Sequence, residues 1–177
     1  MKNNRDKTDR IFFIGFMGSG KTTAGQNVAE ALNWDFLDLD QFIESKHKKS
    51  IPAIFEEEGE EKFREYETKA LNEAAAYKNV IIATGGGTPC HNNNIEFMKS
   101  CGATIYLYLS PKDLFCRLKP AKAKRPLIAN MSDDKLVKFI AQKLNSREKH
   151  YKKADAVIDA NTTSTAAYLN IINKLIG

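Results

Sequence analysis

The feature that most constrains the fold is a glycine-rich stretch over residues 15–22, Gly-Phe-Met-Gly-Ser-Gly-Lys-Thr. It follows the apolar run 11–14 and precedes a helical pattern over 23–32, so it joins a buried strand to a helix. It matches the phosphate-loop spacing G-x-x-x-x-G-K-[ST]. In such a loop, inward-pointing backbone N–H groups and the positive helix end hold an anion. The order of strand, loop and helix favours a nucleoside triphosphate site over a glycine turn with a surface lysine.

The loop also supplies candidate ligands for the nucleotide and its metal. We expect Lys21 to reach the terminal phosphates and the Thr22 hydroxyl to bind Mg²⁺. The predicted nucleotide-binding residues of this segment are Gly18, Ser19, Gly20, Lys21, Thr22 and Thr23.

Hydrophobic patterning predicts strands and helices that alternate along the chain. The predicted strands cover 11–15, 35–40, 79–83, 103–109 and 156–159. The predicted helices cover 21–32, 41–48, 52–57, 60–76, 92–101, 111–118 and 132–151, and Ser164 caps a last one. Uninterrupted apolar strands are typical of a parallel sheet covered on both faces. The fold class is therefore α/β, a doubly wound parallel sheet with helices on both faces and a P-loop architecture like that of nucleoside monophosphate kinases.

Three marked segments lie at strand ends: the phosphate loop, the pair Asp38 and Asp40, and the triple glycine 85–87. Loops at the carboxyl ends of parallel strands meet at one edge of a sheet, so these segments predict a single site. Glycines directly after a strand indicate a close backbone approach. Residues 119–130 hold two prolines and four basic residues without periodicity, and we expect a mobile loop over that site.

Composition narrows the class of protein. A chain of 177 residues with 42% hydrophobic content predicts one domain with a substantial core. The net charge of +5 suits anionic small substrates, and no nucleic-acid-binding module is recognisable. No apolar run approaches membrane-spanning length, and residues 1–10 are polar, so we expect no membrane and a cytoplasmic location. The three cysteines lack metal-ligand or redox spacing, and we expect reduced, mostly buried thiols.

An arginine and a glutamate lie three residues apart in the predicted helix 60–76. Arg64 and Glu67 share one helix face, so the carboxylate can aim the guanidinium. Taken alone, an ordinary helix salt bridge is the better interpretation. This helix, however, lies in an insertion where a phosphate acceptor can dock, and Arg147 near the end of helix 132–151 is a second candidate. Two converging arginines would match a carboxylate, because each offers a planar fork of donors.

With these pieces the sequence resembles the shikimate kinases over nearly the whole chain, from Ile11 to about Ile172. The phosphate loop is shared by many proteins, whereas the other matching pieces are more specific. These are Asp38-Leu39-Asp40, Ile54-Phe55-x-x-x-Gly59-Glu60-x-x-Phe63-Arg64-x-x-Glu67, Gly85-Gly86-Gly87, Arg125-Pro126-Leu127 and Arg147-x-x-x-Tyr151. That family transfers the γ-phosphoryl of ATP to the 3-hydroxyl of shikimate, on the route to chorismate and the aromatic amino acids.

The resemblance implies roles at the phosphoryl-transfer end of the site. Lys21 and Thr22 would hold the ATP phosphates and Mg²⁺, and Asp38 would lie near the metal. Asp40 would grip ring hydroxyls and either orient or deprotonate the attacking one, and both alternatives stay open. Arg125 in the mobile loop would swing over the phosphates.

The resemblance also implies a site for the acceptor. Arg64 and Arg147 would bind the shikimate carboxylate, with Glu67 steadying Arg64. The backbone of Gly86 and Gly87 would line the ring pocket, and the walls would be Phe55 and Phe63.

The resemblance further implies a monomer whose single kinase domain, 1–177, has three parts. These are a core over 10–40, 77–118 and 132–176, an acceptor-binding insertion over 41–76, and a lid loop over about 119–130. Arg117 would flank the adenine. The segment 160–162 matches no family pattern, so the far adenine wall in the 159–163 loop stays open.

Two other functions remain as alternatives. One is a different small-molecule kinase of this architecture, such as a gluconate kinase or a nucleoside monophosphate kinase. The triple glycine and the Phe-Arg-x-x-Glu helix argue against it. The other is an ATP-binding regulatory module without catalysis. The presence of Lys21, Thr22, Asp40 and Arg125 argues against that.

Overall fold

The structure is a computed structural model that describes residues 9–161 and 163–176. Residues 1–8 of the polar N-terminal stretch lie outside the described residues, as does Thr162 of the unmatched segment. The strands are β1 Arg10–Ile14, β2 Asp35–Asp38, β3 Val80–Ala83, β4 Ala103–Tyr108 and β5 Ala156–Asp159. The helices are α1 Lys21–Leu32, α2 Leu39–His47, α3 Ile51–Ala74, α4 Asn94–Cys101, α5 Pro111–Leu118, α6 Asp133–Tyr151 and α7 Thr165–Ile176. Two short 3-10 turns cover Thr88–Cys90 and Lys122–Lys124.

The five strands form one parallel sheet in the order β2-β3-β1-β4-β5. Strand β1 is central, and the chain passes first to one side of it and then to the other. The loop after β1 therefore lies at the switch point of the sheet, where ligands bind in open α/β folds.

The alternation of side chains along β1 divides the core between the two faces of the sheet. Ile11 and Phe13 pack with Val28 of α1 and Ile172 of α7. Phe12 and Ile14 face the larger cluster, which includes buried residues of α2 to α6. Helices cover both faces, so the predicted doubly wound parallel sheet is confirmed.

Several predicted element bounds shift by one or a few residues, and one break is confirmed. Strand β2 ends at Asp38, which caps α2 by accepting hydrogen bonds from the backbone N–H groups of Asp40 and Gln41. Asp40 therefore lies in the first turn of a helix and not at a strand end. Helix α4 begins at Asn94, after left-handed Asn92 and Asn93 and the first 3-10 turn. The loop 119–130 contains the second 3-10 turn. The predicted break at Gly59 is confirmed, since its φ of 84° interrupts α3.

The cysteines are less buried than expected. Cys90 and Cys101 are half-buried, and Cys116 is exposed. Among the helices of the described residues, none is both long enough and apolar enough to cross a bilayer.

Candidate active site

The glycines of the loop after β1 give it its curvature. Gly15, Gly18 and Gly20 have φ values of 146°, 78° and 92°, which L side chains rarely adopt. Gly20 is the residue that precedes α1, so the loop runs directly into the helix N-terminus. A Cβ atom on Gly15 would lie 2.7 Å from the Leu107 carbonyl oxygen, which leaves no room for a side chain.

Lys21 is held against this loop. Its Nζ donates to the carbonyl oxygens of Gly15 and Phe16 at 3.0 and 2.9 Å. Burial lowers the pKa of Lys21 from its ordinary 10.5 to about 8, against the raising influence of Asp40 and Asp38. A buried ammonium beside a glycine-rich loop suits a triphosphate, whose negative charge would raise the pKa of the lysine again.

A cavity of about 320 Å³ opens at the loop and collects most of the predicted phosphate and metal residues. Its lining includes Gly18, Gly20, Lys21, Thr22, Thr23, Asp38, Asp40, Gly86, Arg117 and Arg125. Ser19 has its side chain buried, and it lines a second cavity.

Thr22 and Asp38 form a pair at the cavity wall, with Thr22 Oγ1 donating to Asp38 Oδ2 at 2.9 Å. A hydroxyl and a carboxylate oxygen are hard ligands of the kind that Mg²⁺ prefers. In the described part of the chain, no three His, Cys, Asp or Glu side chains cluster as a metal cage. Mg²⁺ usually keeps waters and binds through one or two protein groups plus phosphates, so Thr22 and Asp38 are candidate ligands for it.

Asp40 lines the same cavity, and its pKa is higher than that of an ordinary aspartate. Burial first, and then the charges of Asp38 and Glu67, raise the pKa of Asp40 from 3.8 to about 6, and Lys21 opposes them. Its Oδ1 approaches the triple glycine so closely that a Cβ on Gly85 would lie 2.9 Å away. Above pH 6, therefore, a partly desolvated carboxylate faces the phosphate loop.

Arg64 and Arg147 reach adjacent residues of the triple glycine. A Cβ on Gly87 would lie 2.7 Å from Arg64 Nη2, and one on Gly86 would lie 3.2 Å from Arg147 Nη1. The two guanidinium groups thus converge from α3 and α6 on neighbouring peptide units. Arg147 also stacks over the Phe16 ring at 5.7 Å, which ties it to the phosphate loop.

The predicted salt bridge of α3 is present, but it is more than a surface ion pair. Arg64 Nη1 donates to Oε2 of Glu67 at 2.8 Å, and Glu67 is 1% exposed. Arg64 Nη2 donates to the exposed Glu60 at 3.1 Å, while Nε is buried without a hydrogen-bond partner among the described residues. The phenyl rings of Phe55 and Phe63 lie 4.6 Å apart, and Arg64 stacks on Phe63 at 5.1 Å. None of these side chains is among the residues that line the 320 Å³ cavity.

Comparison with known proteins places this arrangement in a family. The sequence model of the family described as shikimate kinase matches residues 17–176. A shikimate kinase from Phocaeicola vulgatus is 47% identical over 152 residues, covering 86% of this chain and 87% of the relative. This chain belongs to the shikimate kinase family.

Solved structures agree with that assignment. A shikimate kinase from Bacteroides thetaiotaomicron has a TM-score of 0.86 and 41% identity, covering 94% of this chain and 95% of that one. A shikimate kinase from Acinetobacter baumannii, solved in complex with shikimate, has a TM-score of 0.81 and 35% identity, covering 96% and 91%. The resemblance drawn from the sequence is confirmed, and family membership argues against a gluconate or nucleoside monophosphate kinase.

In this family member, Arg117 and Arg125 both line the 320 Å³ cavity. Arg117 donates to the Ser19 carbonyl at 3.3 Å and to the Ala160 carbonyl at 2.9 Å, and so joins the phosphate loop to the segment after β5. It borders both cavities, the second of which has a volume of about 270 Å³. Arg125 enters the first cavity from a loop whose Ile128 is fully buried and anchors it in the core.

Several residues of this kinase site escaped prediction. Gly85 leaves room for Asp40, although only Gly86 and Gly87 were assigned a role. Tyr151 is fully buried and donates to the Gly86 carbonyl, which fixes the glycine turn from α6. The sequence did contain a signal for Tyr151, because it lies four residues after Arg147 and therefore on the same face of α6. Thr88 and the second-cavity residues Asn27 and Tyr168 carried no such signal.

Proposed function

We propose that this chain is a shikimate kinase, which transfers the γ-phosphoryl group of ATP to the 3-hydroxyl of shikimate and forms shikimate 3-phosphate. One observation carries the proposal beyond family membership. A phosphate-binding loop, a partly desolvated aspartate and two convergent arginines meet at one edge of the sheet. A polyhydroxy carboxylate needs cations at one end and a hydrogen-bond acceptor at the other, and the site offers both.

The nucleotide end is assigned to α1 and its loop. Residues 18–23 bind the phosphates, with Lys21 on the terminal ones, and Arg117 flanks the adenine toward the second cavity. Mg²⁺ would be held by Thr22 and Asp38, and when bound it neutralises charge on the phosphate oxygens. The pair supports this assignment by its 2.9 Å contact at the cavity wall.

The acceptor end is assigned to the triple glycine and the helices beside it. Arg64 and Arg147 bind the shikimate carboxylate, which their guanidinium groups can reach beside Gly87 and Gly86. Gly86 and Gly87 line the ring pocket, and Phe55 and Phe63 form its wall. The insertion 41–76 thus binds the acceptor, the core over 10–40, 77–118 and 132–176 binds the nucleotide, and the loop 119–130 closes over both.

The chemistry is mainly a matter of positioning and charge, as in other phosphoryl transfers. The 3-hydroxyl oxygen attacks the γ-phosphorus, and the bond to the bridging oxygen of ADP breaks. Asp40 accepts the hydrogen bond of the attacking hydroxyl, and above pH 6 it also has the charge to take the proton. Lys21 and Arg125 stabilise the charge on the transferred group, and closure excludes water as a competing acceptor.

The test is an ADP-release assay with a panel of acceptors: shikimate, gluconate and nucleoside monophosphates. We expect that, of these acceptors, only shikimate is turned over. Turnover with another acceptor would identify a different small-molecule kinase, whereas shikimate binding without turnover would identify a regulatory module. We further propose that the protein acts as a monomer in the cytoplasm, which sedimentation and cell fractionation would test.

A further inference from the structure

The buried carboxylate of Glu67 divides its two oxygens between different partners. Oε2 accepts from Arg64 Nη1 at 2.8 Å, and Oε1 accepts from Thr88 Oγ1 at 2.6 Å. Glu67 is 1% exposed and Thr88 is 0% exposed. The hydroxyl of Thr88 is therefore the desolvated partner that fixes the side of Glu67 turned away from Arg64.

Thr88 is itself held firmly. It begins the 3-10 turn after the triple glycine, and its backbone N–H donates to the Gly85 carbonyl at 3.2 Å. Its own carbonyl accepts from Nδ2 of the buried Asn94 at 3.1 Å. The Thr88 hydroxyl thus projects from a segment that is fixed to both the glycine turn and α4.

The other end of this chain of contacts lies beside Asp40, the residue proposed to contact the attacking hydroxyl. A Cβ on Gly85 would lie 2.9 Å from Asp40 Oδ1, 3.1 Å from Thr88 Oγ1 and 3.2 Å from Glu67 Oε1. The carboxylates of Asp40 and Glu67 thus border the same small volume. The Thr88 hydroxyl donates a hydrogen bond to this Glu67 oxygen, which is buried away from solvent.

We propose that Thr88 is a positioning residue for acceptor binding: it locks Glu67, and through Glu67 it aims the Arg64 guanidinium at the acceptor's carboxylate. This inference rests on the proposed function, since it assumes that the acceptor carries a carboxylate near Arg64. Without the hydroxyl, a buried carboxylate oxygen loses its donor, and the glutamate must turn toward another one. Because the Arg64 guanidinium is hydrogen-bonded to Glu67, it moves with that carboxylate, and its fork of donors then points away from the acceptor.

The test compares Thr88→Val, which keeps the shape and removes the hydroxyl, with Thr88→Ser, which keeps the hydroxyl. For Thr88→Val we expect the KM for shikimate to rise about tenfold, while kcat and the KM for ATP change by less than about threefold. Thr88→Ser should restore the shikimate KM to within about threefold of wild type. With a shikimate analogue that lacks the carboxylate, Thr88→Val and wild type should have the same KM.

A matched control is available in β4. Thr104 is also fully buried and donates from Oγ1 to a carboxylate oxygen of Asp155 at 2.8 Å. Thr104→Val removes the same type of hydrogen bond away from the site, together with the acceptor of the Asp155 N–H, so it should lower stability and leave the shikimate KM unchanged. If Thr88→Val does not fold, Thr88→Ala provides the same comparison.

The outcomes separate the two proposals. Absence of shikimate turnover by the wild-type protein would overturn both. Normal wild-type turnover with an unchanged shikimate KM in Thr88→Val would overturn only the positioning role. Equal rises in the KM for shikimate and ATP, or a penalty that persists with the analogue, would show that Thr88 supports the fold and does not aim Arg64.

Discussion

Replacing Asp40 with asparagine should make the protein more stable and less active. The pKa of Asp40 is raised from 3.8 to about 6 by burial and by its acidic neighbours, so its ionised form is unfavourable in the folded state. Because the folded pKa lies above the unfolded one, the native state is favoured by protonation, and this benefit is lost as pH rises through about 4 to 6. A difference of about 2 pKa units means that, above pH 7, ionised Asp40 lowers the free energy of unfolding of the wild-type protein by about 3 kcal/mol.

The stability of Asp40→Asn should therefore exceed that of wild type by up to about 3 kcal/mol at pH 7.5. In a protein of this size the gain corresponds to a rise of roughly 6–12 °C in Tm. Toward pH 4 the gain should shrink to less than about 1 kcal/mol, because Asp40 is then protonated in the folded state and about half protonated in the unfolded state. Phosphoryl transfer should fall by at least about 100-fold, since Asn lacks the charge and basicity of the group that contacts the reacting hydroxyl.

The assay is urea unfolding of the unliganded protein from pH 4 to pH 8, together with kcat for shikimate and the Kd for ATP. The control is Asp35→Asn, the same substitution at an exposed position of β2, which should change stability by less than about 0.5 kcal/mol. Destabilisation of Asp40→Asn at pH 7.5, or a gain independent of pH, would refute the reasoning. Retained activity with altered Mg²⁺ dependence would show that Asp38 and Asp40 have exchanged roles.

Three further predictions concern Lys21, Arg147 and the loop 119–130. Lys21→Ala should lower kcat by more than about 100-fold, because its ammonium stabilises charge on the transferred group; turnover within threefold of wild type would exclude this role. Arg147→Ala should raise the KM for shikimate about tenfold to hundredfold with ATP affinity unchanged, and Arg147→Lys should recover only part of the loss because it lacks the donor fork. A parallel loss of ATP affinity would instead make Arg147 a structural cation. Hydrogen exchange in the loop 119–130 should slow when ATP and shikimate are both bound, and equal protection with and without ligands would argue against a lid.

Local sequence patterns were sufficient to predict the sheet and its phosphate loop. The glycines at 15, 18 and 20 mark backbone angles that other residues avoid, and the apolar strands are uninterrupted, so spacing alone predicts both features. The break at Gly59 follows from the same logic. The Asp-Leu-Asp segment was predicted less well, because alternating polarity is typical of a strand as well as of a capped helix start. Only the hydrogen bonds from the N–H groups of Asp40 and Gln41 to Asp38 decide between them.

The contacts that join distant segments were beyond local patterns. Thr88 and Glu67 are 21 residues apart, and nothing in the spacing indicates that a threonine after three glycines meets a glutamate in α3. Tyr151 reaches Gly86 across 65 residues. The raised pKa of Asp40 likewise depends on burial and on Glu67, which only the folded chain brings near. Such features depend on tertiary packing, and a single sequence contains no direct record of it.

The central claim is that the protein joins its phosphate loop and its two convergent arginines into one phosphoryl-transfer site for shikimate. The most direct test is phosphorus NMR of the product formed by the pure protein from ATP, Mg²⁺ and shikimate. We expect ADP and shikimate 3-phosphate in equal amounts, and loss of both with Asp40→Asn. Release of ADP without a phosphorylated shikimate, or phosphorylation at another hydroxyl, would contradict the claim.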